Sequence, residues 1–419
     1  MIFCSPVYFD RRIFFEQGEA MRNPRPVKHI ELSEQNKTLR LIAAIALLVI
    51  GIVGITVGIT SALKQDSGWQ RVQVNPAERN CSEQFILQYH FGGAEATAVN
   101  QKLQAAYGDA CVKAYQLFTP NEEIPGVQNV WYINHHPNQE ITVDPVLYDA
   151  FEKLEDTRYL FLGPIYAHYS QIIYNAEDGY VEELDPATNE EAAAFIQTTH
   201  SYAADPEMIH LELLGNNRIK LHVSQAYLAY AEAEEMENSF IDFSYMTNAF
   251  VIDYLAETLV EQELTDGYLV SADGFTRNLT SGVKFRFHIF DRVGNTVYPA
   301  AAMEYEGPIS LVFLKDYPTA DSDGNYREKK DSFIHLFADP ADGMYRTSTE
   351  NLVSYSYDTG CVDVLLKMLP CFATEEFSVP EGVFSVWCEE ETIFYNDEAL
   401  SFKELLQSEE MSYRTLLKQ

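Results

Sequence analysis

Between Phe240 and Leu259 the sequence FIDFSYMTNAFVIDYLAETL reads as a strand that turns into a helix, the geometry that aims free backbone N–H groups at an anionic ligand. The turn carries Ser244, Tyr245 and Asn248, where glycine would let the backbone approach a phosphate and lysine would neutralise it. Its acidic residues have plain structural readings: Asp242 caps the helix beginning near Thr247, and Asp253 lies on that helix's solvated face. His135 and His136 in NHHPNQE offer nitrogen ligands, but neighbouring side chains diverge on most backbones, and a turn is the better reading. No GxSxG, HExxH, Walker or GxGxxG pattern occurs. Five cysteines follow residue 64, at positions 81, 111, 361, 371 and 388, without a CxxC pair. Buried thiols and one or two bridges both fit them, and spacing alone does not choose partners.

The elements that must position these residues begin after a membrane segment. Leu41 to Leu63, LIAAIALLVIGIVGITVGITSAL, is uncharged and bounded by Arg40 and Lys64. It is long enough to cross a bilayer, which takes about 20 apolar residues. It lies too far from the start, and runs too long, for a cleaved signal peptide, and reads as a signal anchor. Gly54 and Gly58 form a weak small-xxx-small pair within it. The leader, residues 1–40, holds seven Lys or Arg against five Asp or Glu, so the positive-inside rule places it in the cytoplasm and the remainder outside the cell membrane. Met21 is an alternative start.

The leader's +2 within a whole-chain charge of −34 leaves −36 for everything beyond the span. That balance repels nucleic acid. With 47% hydrophobic residues the chain has ample material for a core. A polar stalk, 64–80, leads into the strand FILQYHF and a helix through AEATAVNQKLQAAYGDACVKAYQLF. QEITVDPVLYDAFEKLED is a short strand with a capped helix. RIKLHV, GYLVSADG, VKFRFHIFD, GPISLVFLKD and FSVWCEEETIFY are strand-like, so helices and strands intermix in a mixed α/β (α+β) fold. The fifty-one tyrosines and phenylalanines fill strands and core. The polar stretch at about 165–215 reads as an insertion with one helix, and residues 401–419 as a helical tail.

From about Cys81 to Leu400 the order of segments resembles the FAD:protein FMN transferase (ApbE-like) family. YINHHPNQEITVDPVLYDAF is similar to the family's IN turn, strand and helix. Asp242 to Asp253 is set against the pattern D-L-G-G-I-A-K-G-Y-A-V-D, and Asp273-Gly274 stands where the family has Gly-Gly. FIHLFADPADGMYRTSTENLVSYSYDTGCVDVLLKML, Phe333 to Leu369, looks like H-I-I-D-P-x-T-G, a strand and A-D-A-L-A-T-A.

The resemblance implies an ApbE-like core preceded by one transmembrane helix. It implies a flavin site at Asp242, Asn248, Asp253, Gly274 and Asp339, with a Mg²⁺ ion at Asp363 organised together with Asp339. It further implies that His335, one residue ahead of the family's histidine, assists the acceptor hydroxyl. Ser244 and Tyr245 replace glycines, Asn248 a lysine, Asp342 and Lys367 threonines, and only Gly163 and Pro164 remain of a G-A-F-D-P-T turn. Lys367 is the wrong charge for a metal site and suits an i,i+4 pair with Asp363. Two functions stand. One is a membrane-anchored, extracytoplasmic, non-catalytic binding or assembly derivative; the other is an active Mg²⁺-dependent transferase that splits FAD and attaches FMN to a Ser or Thr of an extracytoplasmic redox protein. In either, the insertion is placed to cover the site, and restoring glycines at 244 and 245 and lysine at 248 restores flavin affinity only if the cradle survives sterically.

Overall fold

A computed structural model describes residues 68–403 except 75–77, 94, 155–157, 175–177, 237–238, 295, 320–323, 330–331 and 390–391, and then 416–418. The chain divides into units 1–63 and 64–419. The expected anchor, the Gly54–Gly58 pair and the leader lie outside the described residues. Among the described residues no helix is long and apolar enough to cross a membrane.

The strands are β1 (Gly68–Arg71), β2 (Phe85–Phe91), β3 (Glu140–Thr142), β4 (Ile209–Gly215), β5 (Arg218–Val223), β6 (Gly267–Ser271), β7 (Phe275–Asn278), β8 (Lys284–Val293) and β9 (Thr296–Glu306). They continue with β10 (Ile309–Lys315), β11 (Arg327–Lys329), β12 (Ser332–Ile334), β13 (Asn351–Ser356), β14 (Phe384–Glu389), β15 (Thr392–Tyr395), β16 (Ser401–Lys403) and β17 (Leu416–Lys418). The helices are α1 (Ala96–Phe118), α2 (Val130–His135), α3 (Pro145–Lys153), α4 (Gly163–Tyr174), α5 (Asp178–Leu184), α6 (Glu190–Ala203), α7 (Gln225–Ala233), α8 (Thr247–Glu261) and α9 (Cys361–Phe372).

The expected mix of helices and strands is present, with two local corrections. The segment read as an insertion with one helix holds α4, α5, α6 and the strand β4, because its polar residues cap and face solvent while Tyr166, Tyr169, Ile172 and Ile196 bury. The tail read as helical contains β16 and β17, since backbone pairing to β9 and β15 decides both ends.

A nine-stranded sheet runs β1-β2-β6-β7-β10-β13-β14-β15-β17, with antiparallel neighbours except β15 and β17. Two-residue alternation divides its centre between two cores. Val312 and Leu314 of β10 belong to the cluster that includes residues of α1, α8 and α9, whereas Leu311 and Phe313 join a separate cluster with Ile289 of β8 and Ala301 of β9. Every residue of β10 is therefore buried. The N-terminal half of helix α8 is enclosed as well, and its polar Asn248 and Asp253 are forced to find partners inside the protein.

Candidate functional site

The turn ahead of α8 is placed from outside. The buried Asn134 amide donates to Ile241 O and accepts from Ile241 N–H, both at 2.9 Å. Asp242 N–H adds a bond to Leu160 O at 3.0 Å. Asp242 does not cap α8. Its carboxylate accepts from Ser244 N–H at 2.7 Å and so caps the intervening 3₁₀ turn, Ser244–Met246, while α8 starts without a side-chain cap. Burial pushes the Asp242 carboxyl up to about 6, with the Ser244 amide opposing. Ser244 sits at φ +46°, the left-handed region. The backbone there has a glycine-type conformation, although the residue is a serine. Ser244→Gly is expected to raise folding stability by about 0.5–1 kcal/mol, measured by urea unfolding; a loss would show that the serine side chain outweighs its backbone strain.

Tyr245, expected to be a poor phosphate cradle, is a packing residue. Its ring meets Tyr166 of α4 edge-on at 5.7 Å and Phe337 at 4.9 Å. Asn248 Nδ2 donates to Asp273 Oδ2. Asp273 also accepts from Asn325 at 2.6 Å, and Asn325 accepts from the Tyr174 hydroxyl of α4 at 2.9 Å. Gly274, at φ +94°, would place a Cβ 2.3 Å from Phe313 O. This glycine is demanded by the close approach of β10 and needs no ligand to explain it.

Asp253 is not on a solvated face; it is 4% exposed. Its two oxygens accept from Cys361 N–H and Val362 N–H, each at 2.9 Å, and the Arg277 Nε lies 3.2 Å away. A side chain of α8 thus caps α9, with its charge against the helix's positive end. Gly360 is fixed by the same contact, since its Cβ would stand 2.3 Å from Asp253 Oδ2. Burial raises the Asp253 carboxyl, with Arg277 and the two amides opposing.

Asp363 follows in the first turn of α9, half-buried, and its carboxylate has no ion pair or hydrogen bond among the described residues. The expected pair with Lys367 does not form: the ammonium donates to Gly382 O at 3.2 Å, a carbonyl within its reach.

His335 is 4% exposed, with its ring against Phe337 at 5.3 Å and Tyr345 at 5.7 Å. Its Nδ1 accepts from Phe337 N–H at 3.3 Å, and burial pushes its pKa down to about 3. A neutral, enclosed imidazole of that acidity is a poor base for an acceptor hydroxyl. Asp339 closes the turn after it, accepting from Ala341 N–H at 2.8 Å and lying 3.5 Å from Arg346.

That turn is covered. Tyr169 of α4 donates to Gly343 O at 2.8 Å, and His200 Nε2 of α6 donates to Pro340 O at 3.0 Å. A Cβ on Gly343, at φ +79°, would stand 2.7 Å from Ile165 Cδ1. Buried Asp185, just after α5, holds the cover down through Lys329 and, at 3.2 Å, the Tyr345 hydroxyl.

Asp242 and Asp339 therefore flank one aromatic cluster, in which Tyr159 feels Asp339 and Tyr166 feels both Tyr159 and Asp242. Asp363 does not join them. Phe372, at the far end of α9, is the residue that meets Phe337, at 5.1 Å, and Asp363 lies about 13 Å back along the helix axis at roughly 1.5 Å per residue. Among the described residues no three His, Cys, Asp or Glu side chains are placed to hold a metal ion. The turn expected around His135 and His136 begins only at His136. His135 ends α2 and His136 is its C-cap, and the two rings stack on Trp131 and Tyr132 at 3.8 and 3.9 Å. A flavin pyrophosphate does not fit the motif positions as they stand. Tyr245 occupies one turn, the Asn248 amide is committed, and the one motif lysine points elsewhere. Sequence reasoning missed Asn134 as the clamp and Tyr166, Tyr169 and Tyr174 as the cover; helical spacing of those tyrosines on GPIYAHYSQIIY was the available signal.

No protein-family model matches the chain, and no curated protein does. Solved structures do. The flavin transferase ApbE from Vibrio cholerae superposes with a TM-score of 0.50 at 10% identity, covering 81% of this chain and 97% of that one. The ApbE protein from Thermotoga maritima gives 0.49 at 11% identity over 81% and 96%. At such identity the likeness speaks to architecture, and on the Vibrio cholerae superposition the fold of this chain is ApbE-like.

Proposed function

We propose that this chain is a non-catalytic binding or assembly protein built on the flavin transferase fold. The apolar run 41–63 holds it at the cell membrane, the large domain is extracytoplasmic, and its partner is an extracytoplasmic flavoprotein or redox complex. One observation carries the loss of catalysis: a single helix, α4, reaches all three motif turns. Tyr166 packs on Tyr245, Tyr169 bonds the Gly343 turn, and Tyr174 reaches Asn248 through Asn325 and Asp273. The protein's own side chains thus fill and tie down what would cradle a ligand. The remaining support for the active-transferase reading is Asp363, whose carboxylate stays uncommitted near the start of α9.

The test titrates the detergent-solubilised full chain with FAD and Mg²⁺, following flavin fluorescence and AMP release. We expect no saturation below about 1 mM, equivalent to a binding free energy weaker than about −4 kcal/mol, and no AMP. Mg²⁺-dependent AMP release that Asp363→Ala abolishes would overturn this reading.

A further inference from the structure

Two buried cysteines from different elements meet beneath β2. Cys81 precedes the 3₁₀ turn that opens β2, and Cys111 lies midway along α1. Cys81 N–H donates to Cys111 O at 3.3 Å, and Cys81 Sγ lies 3.3 Å from the same oxygen. A backbone hydrogen bond brings the two residues side by side, and a disulfide spans Cα atoms about 4.4–6.8 Å apart. The neighbouring Cys81, ahead of burial, pushes the Cys111 thiol well up. The other described cysteines contact carbonyls instead, Cys361 those of Thr276 and Leu311, Cys371 that of Lys367 and Cys388 that of Phe290.

We propose that Cys81 and Cys111 are a disulfide pair, oxidised by exchange with a small-molecule or protein disulfide. One thiolate attacks the oxidant's sulfur and releases a thiol. The second thiolate then displaces the mixed disulfide and releases another. The two cysteines lose two electrons and two protons, and the oxidant's disulfide becomes two thiols. The bond closes a loop of about 30 residues and staples the segment entering β2 to α1, stabilising mainly by restricting the unfolded chain. Because a thiol so enclosed yields little thiolate, exchange needs the region opened and proceeds during folding far faster than in the folded protein.

The experiment incubates the full chain in detergent and moderate urea with oxidised glutathione, removes the urea, alkylates free thiols and digests with trypsin. Lys102 separates the two cysteines, so the expected product is peptide 80–102 joined to peptide 103–113, lost on reduction. The oxidised form should melt about 4 °C above the reduced form. Cys81→Ser and Cys111→Ser each abolish the linked peptide, and Cys371→Ser leaves it. Alkylated Cys81 and Cys111, stable glutathione adducts at both, or linkage of either to another cysteine would overturn the proposal.

Discussion

Asp253→Ala is expected to lower folding stability by about 3–5 kcal/mol, because it removes the partner of a mostly buried guanidinium and strands two amides at the start of α9. The contrast is Asp363→Ala: Asp363 follows those two amides directly on α9 but has no committed carboxylate, and its replacement should change stability by less than about 0.5 kcal/mol. Urea unfolding reads both, with the midpoint moving and the slope constant. Asp253→Asn should fall between them, since its single carbonyl oxygen can replace one bond and no charge. An Asp253→Ala protein as stable as the parent would mean that the aspartate is not the helix's anchor and would return it to the pool of ligand candidates.

Acidification provides the second large effect, and its sign depends on opposing groups. His335 is held near a pKa of about 3, against an ordinary value of 6.5, so the unfolded chain takes up its proton first. Its contribution to stability is complete above pH 6.5 and drains away as pH falls toward 3. Asp242, pushed up to about 6, and Asp316, pushed up to about 7 by burial against the pull of Arg292, work the other way. Their native forms bind protons more tightly than the unfolded chain, so they stabilise as pH falls through 7 and 6 toward 3.8. A difference measurement isolates the histidine. Between pH 7 and pH 4, His335→Gln should gain on the parent by about 3 kcal/mol in unfolding free energy. Parallel curves for the two proteins would show that His335 is not sealed from protons.

Local pattern carried much of the architecture. FILQYHF alternates and is β2; Asp144 precedes Pro145 and caps α3, accepting from Val146 N–H at 3.0 Å. What was hidden depended on contacts between distant segments. Asp253 looks like a surface residue on a helix until α9 arrives more than a hundred positions later with two amides to satisfy. Gly274 resembles a ligand-turn glycine until β10 passes over it. Lys367 and Asp363 have ideal spacing, yet a nearer carbonyl from Gly382 takes the ammonium. Polarity and length mark the cover, but which turns it touches is decided by the Tyr166 ring, the Tyr169 hydroxyl and the Tyr174 hydroxyl finding partners far along the chain.

The Asn134 clamp has a consequence for mutational drift. Its amide grips only the main chain of Ile241, so the point where the following turn begins is fixed without calling on the side chains of residues 242–248. Address and content are thereby decoupled at the entry to the turn: substitutions could accumulate beyond Ile241 without moving the point from which the turn starts. The same decoupling makes this turn a graft acceptor, where a loop of equal length and new composition would land in a known position provided that α4 is cut back to make room.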